Sequence, residues 1–189
     1  FRVASEKLQD AQADKRMLRR DFFRQRIPYY RKDPALFAVE VLKFEPDGWQ
    51  REALMDLAGN PKVSIKSGQG VGKTGLEAAA LLWFLTCFSY PRVVATAPTK
   101  QQLHDVLWSE LDKWMSRSPL LRKILKWTKT YIYMAGKEKR WFATARTATK
   151  PENMQGFHEN NNSVFMLEYL NAESRIKRGF VYMLRYLAV

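Results

Sequence analysis

The chain has 189 residues, 46% of them hydrophobic, which suffices for one domain with a real core, or one domain plus an extension. Thirty-two Lys and Arg against nineteen Asp and Glu give a net charge of +13, which either faces water or points to a polyanionic partner, most simply nucleic acid. The single cysteine, Cys87, excludes an internal disulfide, so a reducing, cytoplasmic setting is expected.

From Ser5 to Arg26 apolar residues (Leu8, Met17, Leu18, Phe22, Phe23) recur at helical spacing among many Lys and Arg, and Pro28 is expected to end that helix. Its basic face either meets solvent or contacts phosphates or another subunit. We expect residues 1–32 to form a basic helical extension and 33–189 the main domain. Asp33-Pro34 reads as an N-cap followed by proline at the first helical position, opening a short helix through Leu36, Phe37, Val39, Val41 and Leu42. A second cap at Pro46-Asp47 opens a helix that carries Trp49, Leu54, Met55 and Leu57 inward and stops at Gly59-Asn60-Pro61. Gln50 is either a surface residue beside a core tryptophan or, about twenty residues ahead of a phosphate loop, a reader of the adenine edge.

That loop follows at once. Val63-Ser64-Ile65-Lys66 alternates like a strand, and Ser67-Gly68-Gln69-Gly70-Val71-Gly72-Lys73-Thr74 fits the phosphate-binding pattern except that Ser67 stands where the first glycine belongs. Gly68, Gly70 and Gly72 allow the backbone to wrap an anion with its amides turned inward. In such a loop Lys73 reaches the β and γ phosphates, Thr74 holds Mg2+, and the next helix offers its positive N-terminus. The apolar run from Leu76 to Phe88 is too short to cross a bilayer and carries Glu77 and Thr86, so it reads as a buried helix.

Arg92 to Ala97, bounded by Pro91 and Pro98, reads as a buried strand parallel to the first, with the intervening helix as the crossover. Thr99 is expected to cap a helix to about Trp114 with Leu103, Val106, Leu107, Leu111 and Trp114 on one face. Leu120 to Trp127 reads as helical, and Tyr131–Met134 and Arg140–Thr144 as strands joined through Gly136-Lys137. Arg146 to Phe157 reads as a polar loop in which Arg146 is a candidate for a trans-acting arginine at the γ phosphate. Ser163 to Glu168 reads as an apolar strand lying beside the first and ending in a carboxylate suited to hold Mg2+ through water. The next position, where a water-activating glutamate is usual, holds Tyr169, a phenol of ordinary pKa near 10 and a poor base at pH 7. Residues 169–189 carry no motif, and no zinc-ligand spacing or Ser-His-Asp arrangement occurs.

Trp49-Gln50, the loop Ser67–Thr74, Thr96-Ala97-Pro98-Thr99 and Gln155-Gly156-Phe157-His158 together resemble the N-terminal ATPase domain of the large terminase subunit of tailed bacteriophages, from about Asp33 to His158. The resemblance implies an α/β P-loop NTPase fold with a mostly parallel sheet, helices on both faces and a helical N-terminal segment. It implies ATP and Mg2+ as cofactors, with Gln50 at the adenine, Ser67 to Thr74 around the phosphates, Lys73 acting on the transferred phosphoryl group, and Thr74 and Glu168 at the metal; Arg146 stays a candidate read from the loop alone. It implies double-stranded DNA, a portal protein and a small terminase subunit as partners, a homo-oligomeric ring as the working form, no membrane, and the cytoplasm of the bacterial host. In that family a separate C-terminal nuclease cuts the DNA. Neither it nor anything else after Glu168 is matched here, and the chain opens on Phe1, so we expect an excerpt, a truncated or decayed copy, or a last stretch that has diverged or is read in another frame. Two other readings share the motifs: a nucleotide- or DNA-binding module without turnover, and a helicase-like P-loop ATPase.

Overall fold

The computed structural model describes residues 21–68, 70–97, 102–147, 164–171 and 178–186. Of the basic N-terminal stretch, residues 21–32 form helix α1. Pro28 does not end it, contrary to expectation: the backbone is helical again directly afterwards, Asp33 N donating to Tyr29 O at 2.9 Å. Proline removes one bond from the ladder, and contacts from outside the helix hold the turn beyond it. The Tyr30 hydroxyl donates to Glu40 Oε2 at 2.7 Å, the Tyr30 carbonyl accepts from Trp83 Nε1 at 2.6 Å, and Arg31 Nε donates to the Cys87 carbonyl at 2.6 Å. Phe23 and Tyr30 thereby join the common core. Arg26 forks onto both Glu40 oxygens and holds that carboxyl below its usual range.

Helix α2 begins as expected, at Pro34–Phe37 behind Asp33, whose carboxylate accepts from Leu36 N at 2.8 Å. It widens into a π turn, Ala38–Leu42, and stops at Lys43 in the left-handed region, φ 58°. Helix α3, Gly48–Gly59, buries Ala53, Leu54 and Leu57. Met55, expected inward, is 42% exposed, because one residue past Leu54 is about 100° further round a helix.

Strand β1 (Lys62–Gly68) leads to helix α4 (Lys73–Cys87), and strand β2 (Arg92–Ala97) follows. Every residue of α4 from Leu76 to Cys87 is buried, as expected of a helix inside the core rather than upon it. In β2 all positions from Val93 to Ala97 are buried, so both of its faces are covered. Helix α5 is a π segment, Gln102–Trp108, running into an α segment, Ser109–Arg117. Leu107, Leu111 and Trp114 are buried as expected, whereas Val106 is half exposed and Trp108 is buried. A wider turn adds a residue per revolution, so positions counted at 3.6 through the π segment come out one place off. Thr99, its expected cap, lies outside the described residues.

The segment expected to be helical from Leu120 to Trp127 is helix α6 only over Leu121–Ile124, and Leu125–Trp127 is strand β3. These residues pair antiparallel with β4 (Tyr131–Met134), and ladder bonds at a sheet edge override a weak helical preference. Strand β5 (Phe142–Thr147) extends through Arg146, which was expected in a loop. Strands β6 (Val164–Asn171) and β7 (Arg178–Tyr186) complete one seven-stranded sheet in the order β1-β7-β6-β2-β5-β4-β3.

The protein is therefore α/β, with a mixed sheet. Strand β2 is parallel to both β5 and β6, and the other neighbouring pairs described are antiparallel. Sequence neighbours β3–β4–β5 and β6–β7 pair directly, which short connections permit only in antiparallel sense. Strands β1 and β2 point the same way, as expected, but β7 and β6 lie between them. Among the described residues no helix is long and apolar enough to cross a membrane. Deleting only the hydroxyl that ties α1 to Glu40, in Tyr30→Phe, should lower the unfolding free energy by about 1 kcal/mol, measured by denaturant titration. An unchanged midpoint would mean that α1 is held by its other contacts alone.

Candidate functional site

The junction between β1 and α4 brings together most of the expected site residues. Ser67 and Gly68 end β1, Gln69 lies outside the described residues, Gly70 and exposed Val71 form the turn, and Gly72 is the N-cap of α4. Gly70 and Gly72 adopt φ of 79° and 88°, a region that favours glycine. At Gly72 a second constraint applies: an added Cβ would come within 2.7 Å of Gln50 Nε2.

Gln50 is almost wholly buried, at 3% exposure. Its Oε1 accepts from Asp47 N at 2.8 Å, closing the first turn of α3, and its Nε2 donates to the Gly72 carbonyl at 3.0 Å. The same carbonyl receives Leu76 N at 3.3 Å as the first bond of α4. The sequence places Gln50 and Gly72 22 positions apart, and the fold puts one against the other.

Lys73 is the first residue of α4 and is buried, while Thr74 is half-buried behind it. The N–H groups of this first turn have no acceptor within the helix, so the turn presents partial positive charge together with the Lys73 ammonium. One turn further in, Glu77 is 3% exposed and its Oε1 has no hydrogen-bond partner. Burial pushes its carboxyl up to about 8 against the pull of Lys73. At neutral pH Glu77 is therefore mostly protonated and does not cancel the positive charge above it. In the sequence Glu77 stands out only as a charge within an apolar run. The i, i+4 spacing from Lys73 was the signal that could have found it.

Other expected residues lie further off. Strand β6 does not end at Glu168 but continues to Asn171, because Tyr169, Leu170 and Asn171 pair with Val181, Phe180 and Gly179 of β7. Nor does β6 lie beside β1, since β7 separates them. Through Tyr182, Glu168 is level with Ser64, whereas Asn171 is level with Ser67 at the start of the loop. Arg146 is exposed on β5, level with Thr96 and, across it, with Glu168. Four strand spacings separate β5 from β1, roughly 19 Å. In one chain, then, Arg146 is remote from Lys73. Gln155 to His158 lie outside the described residues.

Among the described residues no three His, Cys, Asp or Glu side chains cluster as a metal cage would. Mg2+ rarely needs one, being held through one or two protein oxygens, water and substrate phosphate, and the Thr74 hydroxyl suits that role. A groove of about 570 Å3 lined by Asp105, Trp108, Ser109, Asp112, Trp127, Lys129 and Thr130 includes none of the loop residues.

Fold and site together define an α/β protein with a glycine loop feeding the N-terminus of a buried helix, where unpaired first-turn N–H groups give a local positive charge. No family model, curated protein or solved structure matches the chain.

The buried carboxyl gives a signed prediction. Between about pH 4.5 and about 8 the native state keeps a proton on Glu77 that the unfolded chain releases. Its contribution is thus largest below pH 4.5 and is lost as pH rises towards 8. Glu77→Gln should flatten the fall in stability across that window in denaturant titrations at pH 5, 6.5 and 8. Parallel curves for the two proteins would show that Glu77 is ionised in the native state.

Proposed function

We propose that the chain is a P-loop ATPase domain of a DNA-packaging motor, of the kind found in phage large terminase subunits, binding ATP with Mg2+ and acting on double-stranded DNA. The observation that carries this reading is the β1–α4 junction: two glycines at positive φ, Lys73 buried at the first helical position, and Gln50 seated against Gly72. Gly70 and Gly72 leave the backbone open to a close anion, the first-turn amides and Lys73 carry the positive charge, and Thr74 follows with its hydroxyl. In this reading Mg2+ would neutralise phosphate charge when bound, and the chain's own residues orient the triphosphate. The net charge of +13 suits a partner lined with phosphates. A portal protein, a small subunit, a ring of copies and a host-cell cytoplasmic setting belong to the same proposal, in which Arg146, remote from its own loop, would act at a neighbour's.

A second reading has a specific observation in its favour. Glu168 sits three positions inside β6, and Tyr169 follows it in the ladder rather than at a strand end. A domain that binds nucleotide or DNA without turnover fits this better than a working hydrolase. Steady-state phosphate release with and without DNA separates the two readings: turnover above the buffer rate supports the motor, and none supports the binding module.

Two predictions test the common ground. Lys73→Ala should abolish ATP binding by titration calorimetry, a loss of at least on the order of a hundredfold for a buried charge-assisted contact, and unchanged affinity would remove the assignment. Affinity for duplex DNA should fall linearly on a logarithmic scale as salt rises, with a slope of roughly −0.9 per phosphate neutralised. A flat salt dependence would separate the basic charge from DNA binding.

A further inference from the structure

Gln50 has both ends of its carboxamide committed within the protein. Its oxygen accepts from Asp47 N at 2.8 Å and its nitrogen donates to Gly72 O at 3.0 Å, at a site only 3% exposed. A carboxamide has two donors and two acceptor lone pairs, but burial limits what else can approach the remaining pair. The glycine it holds is the hinge between loop and helix, at φ 88°, and its carbonyl also receives the first helical bond from Leu76 N at 3.3 Å. The direction of that carbonyl fixes the plane of the next peptide, whose N–H belongs to Lys73.

We propose that Gln50 is a positioning residue for the phosphate loop: by bridging Asp47 of α3 to Gly72 it fixes where α4 begins, and it thereby sets affinity for a phosphate chain irrespective of the base attached. The inference rests on the phosphate-loop reading of Ser67 to Thr74 and departs from the role at adenine that the resemblance implies for this glutamine. Two features favour it. The Asp47 to Gln50 spacing is that of a capping box, which fixes the side chain before any ligand arrives. The clearance at Gly72 is also set by Gln50 itself, since a Cβ there would lie 2.7 Å from Nε2, so side chain and glycine are fitted to each other. Without the carboxamide, Asp47 N loses its partner, and the Gly72 carbonyl is left with the bond from the helix alone.

The test compares three ligands by titration calorimetry in Mg2+: inorganic tripolyphosphate, GTP and ATP, with wild type, Gln50→Met and Lys73→Ala. Gln50→Met keeps the length and neutrality of the side chain and removes both hydrogen bonds. Affinity for all three ligands should fall together, by on the order of tenfold for one lost buried bond at the loop. Loss for ATP alone, with tripolyphosphate binding unchanged, would overturn the inference in favour of base recognition, and no loss for any ligand would overturn it outright. Gln50→Asn is the second variant should the first fold poorly. One methylene shorter, it cannot span Asp47 N and Gly72 O together and should show the same uniform loss. If wild type binds no tripolyphosphate, or Lys73→Ala binds it as well as wild type does, the phosphate-loop reading falls and this inference with it. If wild type binds and Lys73→Ala does not, the Gln50 variants test the inference alone.

Discussion

The burial of α4 on every side constrains the rest of the molecule. A helix in that position still has backbone groups at each end without intrahelical partners, and these must be satisfied where water is scarce. At its C-terminus the Leu85 carbonyl accepts from Trp141 Nε1 at 2.6 Å and the Cys87 carbonyl from Arg31 Nε at 2.6 Å. Arg31 adds a cation where the helix dipole is negative. The N-terminus is organised differently. There Gly72, held by Gln50, opens the helix, and the first-turn amides face the glycine loop. One end of the helix is completed by side chains from elsewhere in the protein, and the other opens onto the glycine loop.

This division explains why the N-terminal helices pack as they do. Helix α1 reaches the C-terminal half of α4 through Tyr30, Arg31 and Trp83, and α3 reaches its N-terminus through Gln50. The two helices therefore brace α4 from opposite ends. Glu77 belongs to the same economy of charge: a carboxylate one turn behind Lys73 would offset the ammonium, but burial keeps it protonated up to about pH 8. Desolvation thus keeps the acid beneath the loop from adding a full negative charge beside Lys73 at neutral pH.

What the sequence made legible followed from local chemistry strong enough to act alone. The Asp33-Pro34 cap, the apolar α4 run and the β-branched run Arg92–Ala97 each specify their element without help. Elements were misread where a distant contact decided. The turn after Pro28 is kept helical by Trp83, Glu40 and Cys87, and Leu125–Trp127 are drawn into strand by Tyr131–Met134. Val106 and Trp108 exchange places because a π segment changes the residue count per turn, which a 3.6 periodicity cannot register. In the site, the loop and Lys73 were readable from glycine spacing. The bond from Gln50 to Gly72 is half legible in the sequence, as the capping-box spacing from Asp47 to Gln50, but its other end lies 22 residues away, beyond any local pattern.

The least legible point, the end of β6, bears most on turnover. Register puts Glu168 level with Ser64, three positions before Ser67, and two strand spacings away across β7. Each position along a strand is about 3.3 Å and each spacing about 4.8 Å, so the Cα of Glu168 lies roughly 14 Å from that of Ser67. On the phosphate-loop reading, Thr74, Lys73 and the loop would hold a phosphate chain without β6, while hydrolysis would require either a rearranged β6–β7 pair or a carboxylate from elsewhere. The pairing of Tyr169 with Val181 and of Leu170 with Phe180 opposes the first alternative, because those ladder bonds would have to break to end β6 at Glu168. On the proposed reading, then, holding a phosphate chain and hydrolysing it make different demands on this fold: the β1–α4 junction would serve the first, and the second calls for a carboxylate that the junction does not itself carry.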